Sequence, residues 1–182
     1  MNKEKVLLCF GNSITEGWGV RHNESWPSLI QRSLPFQVHN AGISGETSAD
    51  GLRRVEDTLA ARPTWCIIEF GINDFFNGFS TEQTRANIEK IIKAMKDHDI
   101  VPALMGFNLP YKEAGEWHRT FIALGEEHEL PVMPDLFSGL WGKEGVFMPD
   151  GLHPTAKGYR IIAEACLETF NGVLWPAPAT LH

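Results

Sequence analysis

Val6-Leu7-Leu8-Cys9-Phe10 is an uninterrupted apolar run that stops at Gly11, and it constrains this chain more than any other stretch. Five residues are too few for a buried helix. With no polar alternation, both faces must be covered, so the run reads as an inner strand of a parallel sheet. Further strands are expected at Phe36-Gln37-Val38-His39-Asn40, Trp65-Cys66-Ile67-Ile68-Glu69-Phe70, Val101-Pro102-Ala103-Leu104-Met105-Gly106-Phe107 and, a short one, Pro131-Val132-Met133. Between these runs lie helical signals. Ser25 precedes Trp26-Pro27; Leu52, Val55 and Leu59 share a face ahead of Pro63; Ser80 and Gln83 form a capping box before Ile88, Ile91, Ile92 and Met95. Further helices carry Trp117, Phe121 and Leu124, and then Tyr159, Ile162, Ala163 and Cys166. Strands alternating with helices predict an α/β fold, a parallel sheet covered on both faces. One domain spanning 1–182 is expected, with an irregular Pro-rich tail from about Trp175.

Crossover connections place the carboxyl ends of all parallel strands on one edge. Ser13, Gly42 and Asn73 each follow such an end, so they can meet. Ser13 supplies a hydroxyl nucleophile that needs a base. His153 is the best candidate, because Asp150 precedes it by three residues in one turn-forming loop and can hold Nδ1 while Nε2 faces the serine. An oxyanion formed by attack needs fixed donors, for which the Ser13 N–H, the Gly42 N–H and the Asn73 amide are candidates. Ser44, in a Gly-x-Ser-Gly context, is the runner-up nucleophile.

Gly11-Asn12-Ser13-Ile14, Asn40-Ala41-Gly42-Ile43-Ser44-Gly45-Glu46-Thr47, Gly71-Ile72-Asn73-Asp74 and Asp150-Gly151-Leu152-His153-Pro154 together resemble the SGNH (GDSL-type) hydrolases, in that family's order. The likeness is greatest to the small bacterial thioesterase, lysophospholipase and arylesterase subgroup. The resemblance implies a flavodoxin-like three-layer α/β/α sandwich with a five-stranded parallel sheet. It implies a triad of Ser13, Asp150 and His153, and an oxyanion hole of Ser13, Gly42 and Asn73. The implied activity is cofactor-free hydrolysis of esters or thioesters of small to medium acyl groups through an acyl-enzyme on Ser13. An acetylesterase acting on acetylated carbohydrate and a lysophospholipase are the alternatives. Asn12 stands where the family usually carries Asp; it keeps hydrogen bonds but brings no charge, so tuned activity is expected rather than its absence.

Aromatic residues near these loops are the candidate pocket walls: Trp18, Phe75, Phe76, Phe79 and Phe107, with Tyr111, Trp141, Phe147 and Met148 behind them. About half of such residues belong to the core in an ordinary fold. The Phe75–Phe79 stretch, read as a loop directly after Asn73, is the strongest candidate.

The formal charge of −7 and the lack of any basic run argue against nucleic acid and anionic membranes as partners. Trp18 follows Gly17 where a Walker loop needs Lys. HExxH is absent, Glu126-Glu127-His128-Glu129 reads as a solvated helix end, and three scattered cysteines read as buried free thiols, so no metal is expected. Only a five-residue apolar run precedes Gly11, with no small-residue cleavage site, so neither a signal peptide nor stable membrane association is expected and the cytoplasm is the default location.

Overall fold

The computed structural model describes residues 4–176. Its strands are β1 (Val6–Gly11), β2 (Gln37–Gly42), β3 (Trp65–Glu69), β4 (Val101–Met105) and β5 (Val132–Met133). They form one parallel sheet in the order β2-β1-β3-β4-β5. Every residue of β1 and β3 is buried, as apolar runs without alternation require, whereas the edge strand β2 is largely half-exposed.

The helices are α1 (Ser13–Glu16), α2 (Trp26–Gln31), α3 (Ser48–Leu59), α4 (Ile72–Phe76), α5 (Thr81–Asp97), α6 (Ala114–His128) and α7 (Ala156–Phe170). α3, α5 and α6 pack side by side as one layer, and α2 packs on α7 as the other, which gives the three-layer sandwich. The capping box at Ser80 and Gln83 is present, and Ile88, Ile91, Ile92 and Met95 face the core. No helix among the described residues is long and apolar enough to cross a membrane.

This strand order reverses direction between β1 and β3: the chain leaves β1 toward β2 and returns on the other side to β3. Such a switch point opens a crevice at the carboxyl ends of the two strands, where open α/β sheets bind ligands. Gly11 of β1 lies opposite Gly42 of β2 and Glu69 of β3, so the loops after these strands start from one level.

Two local expectations are corrected. The segment expected as a loop from Phe75 begins inside a helix, α4, because buried Asp74 ties it to Ser48 of α3 and Thr84 of α5. Trp175, expected to open an irregular tail, is instead packed: its ring is buried against Phe36 and Phe170 and its Nε1 donates to Asn171 Oδ1 at 2.5 Å. The rest of that expected tail, 177–182, lies outside the described residues.

Candidate active site

The chain turns sharply at Gly11. A Cβ there would come within 2.4 Å of Thr15 Oγ1 and 2.6 Å of the Glu69 carbonyl, so only glycine fits. Asn12 caps α1, its Oδ1 accepting from the Ile14 N–H at 2.9 Å. Ser13 is then the first helical residue, and its own N–H has no partner among the described residues.

Its hydroxyl lies 2.9 Å from His153 Nε2. His153 Nδ1 lies 2.7 Å from Asp150 Oδ2, while Asp150 Oδ1 accepts from the Leu152 and His153 N–H groups at 2.9 and 3.0 Å. One carboxylate therefore fixes both the loop's backbone and the imidazole ring. With Nδ1 donating to Asp150, Nε2 is left to accept the serine proton. Partial burial raises the Asp150 carboxyl, but the Leu152 and His153 hydrogen bonds outweigh it and hold the group below the ordinary carboxylate value. It stays charged beside an imidazolium as one forms. The Trp18 ring lies against the imidazole, with centroids 4.4 Å apart.

Asn73 occupies the first turn of α4, and its Nδ2 donates to the Glu46 carbonyl at 2.8 Å, leaving a second amide hydrogen for a ligand. Gly42 departs from expectation. Its N–H is spent on Asn40 Oδ1 at 2.9 Å, and a Cβ on it would meet the Glu16 nitrogen at 2.1 Å, so this glycine serves close packing under α1. Three residues on, the Gly45 N–H has no partner among the described residues, and a Cβ placed on Gly45 would meet no atom within 4 Å. Sequence reasoning quoted Gly45 but passed over it; the signal available was Asn40, two residues before Gly42, poised to take that N–H in an Asx turn. The Ser44 hydroxyl bonds the Glu16 carboxylate and has no imidazole partner among the described residues.

A cavity of about 330 Å³ opens beside Asp150–His153, lined by Phe76, Leu109, Pro110, Tyr111, Trp141 and Leu152. Phe76, Tyr111 and Trp141 are exposed by 51%, 52% and 38%, unusual for rings of this size. The other wall candidates fall elsewhere. Phe107 is fully buried against Trp117 and Phe121, so it belongs to the core. Phe79 is half-buried on the core and lines no part of this cavity, while Phe75 stacks behind Tyr111 at 6.1 Å. A larger groove of about 650 Å³ along α5, reaching His128, is bordered by Lys90, Lys93 and Lys96 and contains no nucleophile–base pair.

Among the described residues no three His, Cys, Asp or Glu side chains are grouped to hold a metal. Glu127 and His128 instead face Arg85 and Glu89 on neighbouring α5. The three cysteines are free and buried.

A hydroxyl, an imidazole and a carboxylate in series at the switch point of a parallel sheet are equipment for cleaving acyl bonds, and comparison with known proteins agrees. A family model described as GDSL-like Lipase/Acylhydrolase matches residues 9–161, so the chain belongs to that family of ester hydrolases. It is 30% identical over 166 residues to thioesterase 1/protease 1/lysophospholipase L1 of Escherichia coli (strain K12), covering 87% of this chain and 80% of that protein. It is 31% identical to esterase TesA of Pseudomonas aeruginosa over 93% of this chain and 90% of that one. Its structure matches the psychrotrophic esterase EstA from Pseudoalteromonas sp., inhibited by monoethylphosphonate, with a TM-score of 0.87 at 25% identity, over 94% of this chain and 99% of EstA.

Proposed function

We propose that Ser13 is the nucleophile of a serine esterase and thioesterase, with His153 as its base and Asp150 as the group that orients His153. The observation that carries this reading is the continuous series Asp150 Oδ2–His153–Ser13 Oγ, at 2.7 and 2.9 Å. Ser13 Oγ attacks the acyl carbon as its proton passes to His153 Nε2. The resulting tetrahedral oxyanion is received by the Ser13 N–H, the free amide hydrogen of Asn73 and, in place of Gly42, the Gly45 N–H. Collapse expels the alkoxide or thiolate, which takes the proton from His153 and leaves an acyl group on Ser13. A water then gives its proton to His153 and attacks the acyl carbon. Ser13 departs with that proton, and the carboxylic acid is released.

The aromatic, apolar cavity beside His153 suits small to medium acyl or alcohol groups, and the names of the thioesterase, lysophospholipase and esterase relatives support the same bond type. The test is hydrolysis of p-nitrophenyl acetate, butyrate and octanoate and the matching acyl-CoA thioesters by the parent protein, Ser13→Ala and Ser44→Ala. Loss of turnover in Ser13→Ala alone supports the assignment, and the chain-length profile then sets the acyl range. Full activity in Ser13→Ala with loss in Ser44→Ala overturns it.

A further inference from the structure

Two carboxylates lie wholly inside the molecule, Asp74 and Glu69, and the chemistry above uses neither. Asp74 ties α4 to α3 and α5 through Ser48 and Thr84. Glu69 does something more specific. It ends β3, directly opposite Gly11. Its Oε1 accepts from Asn12 Nδ2 at 2.9 Å; its Oε2 accepts from the Thr15 hydroxyl at 2.8 Å and the Asn12 N–H at 3.3 Å. Asn12 in turn holds the Ile14 N–H. The residues before Ser13, after it and one further on are therefore all tied, directly or through Asn12, to one carboxyl. Four residues beyond Glu69 on the same strand exit stands Asn73.

We propose that Glu69 is the positioning residue of this catalytic edge: through Asn12 and Thr15 its carboxyl sets where Ser13 sits relative to the oxyanion donors, and its ionisation slows both acylation and deacylation, since each forms an oxyanion there. The proposal rests on Ser13 being the nucleophile. Glu69 makes no ion pair among the described residues. Arg54 of α3 donates to the Gly11 and Ala41 carbonyls and is paired with Glu46. Tyr159 of α7 donates to the Ser13 carbonyl at 3.5 Å, its phenol held well above its ordinary value by burial and by the charges of Glu69, Glu16 and Asp150; His153 lies across Ser13. Burial, opposed by the Thr15 and Asn12 hydrogen bonds, pushes the Glu69 carboxyl up to about 8. The Thr15 hydroxyl can donate or accept, so its contact survives a proton on Glu69. A carboxylate formed behind Ser13 acts in two ways. It is an unpaired buried charge that pulls on the nucleophile turn, and it opposes the negative oxyanion forming in front of that turn.

The experiment is a pH profile of kcat and KM from pH 6 to 10 on p-nitrophenyl acetate, for the parent, Glu69→Gln and Asn12→Asp. Folding is checked by thermal melting, and hydroxide-driven hydrolysis is subtracted. The parent kcat is expected to fall about tenfold per pH unit above roughly 8, with KM within twofold. Glu69→Gln loses that fall. Asn12→Asp sets a second carboxyl beside Glu69, so the pair shares a proton and the fall moves up by at least one pH unit. An unchanged alkaline fall in both variants overturns the proposal, and so does a parent profile flat to pH 10. Asn12→Asp alone decides if Glu69→Gln does not fold. Labelling with ethyl p-nitrophenyl phosphonate, mapped by peptide mass, separates the two claims. An adduct on Ser13 with no alkaline fall rejects the role of Glu69 alone, whereas an adduct elsewhere rejects the nucleophile and the proposal with it.

Discussion

The catalytic edge has two halves that differ in how they are held. On the β1–β3 side, Ser13, Asn12, Thr15 and Asp74 are all nearly or fully buried, and each is fixed by side-chain hydrogen bonds to Glu69, Ser48, Thr84 or His153. On the other side, Phe76, Tyr111 and Trp141 stand exposed, in ring contact with neighbours such as Phe75 and Phe147. Buried polar contacts fail badly when one partner is removed, while an exposed ring can be changed at little cost to the fold. The first half should therefore set rate and the second selectivity. Substitutions that break this division are the informative ones.

The largest effect is expected at Ser13. Ser13→Ala should lower kcat at least about 10⁴-fold with little change in melting temperature. Retained turnover would place the reaction outside this series of side chains.

Glu69 gives the next largest effect, on stability. Its folded value of about 8 lies above the ordinary 4.5, so its contribution is complete below about 4.5 and is lost as pH rises through about 8. The full span is on the order of 4–5 kcal/mol. Urea unfolding from pH 5 to 9 should show the parent losing stability with rising pH relative to Glu69→Gln. Parallel curves would mean that this carboxyl is ionised in both states.

Phe107 and Asn73 test the boundary from either side. Phe107→Ala should destabilise the protein by about 3–5 kcal/mol, because its fully buried ring leaves a cavity against Trp117 and Phe121. Its KM should not move, and a KM change without a stability loss would restore Phe107 to the pocket wall. Asn73→Ala should lower kcat by about 10²–10³ with KM nearly unchanged, as expected for a donor used only in the transition state. A KM effect alone would make Asn73 a binding group.

The same division explains what could be read from the chain. The strands, the sheet class and the Ser13, Asp150 and His153 set were legible because each depends on short local patterns: apolar runs ending in glycine, and a carboxylate three residues before a histidine. Which glycine of that loop keeps a free N–H was not, because Gly42 and Gly45 share one loop and only the three-dimensional turn shows that Asn40 has taken the Gly42 N–H. The rings were not, because both Phe107 and Phe76 come at or just past a strand's end, and packing against α6 buries one while the other projects from the end of α4. Glu69 was visible as a lone carboxylate in an apolar strand. Its meaning required the Gly11 register that sets it under the nucleophile turn.

The smallest effect is the one that sharpens the comparison most. Phe76 and Trp141 line the cavity from separate segments and pack on different rings, Phe75 for one and Phe137 and Phe147 for the other, so each can be shortened without disturbing the other's support. Phe76→Ala and Trp141→Ala should each leave stability within about 0.5 kcal/mol. Each should raise KM for the substrate group in contact with it by about 1–2 kcal/mol, since only part of the ring's surface is covered by a ligand. If the cavity holds the acyl chain, the KM increase grows from acetate to octanoate at a fixed p-nitrophenyl leaving group. If it holds the leaving group, the increase is the same for all three esters and disappears when the aryl group is replaced by methyl. A fall in kcat at constant KM would break the division itself, since it would mean that these rings help to align the bond being cleaved and that the exposed half also sets rate.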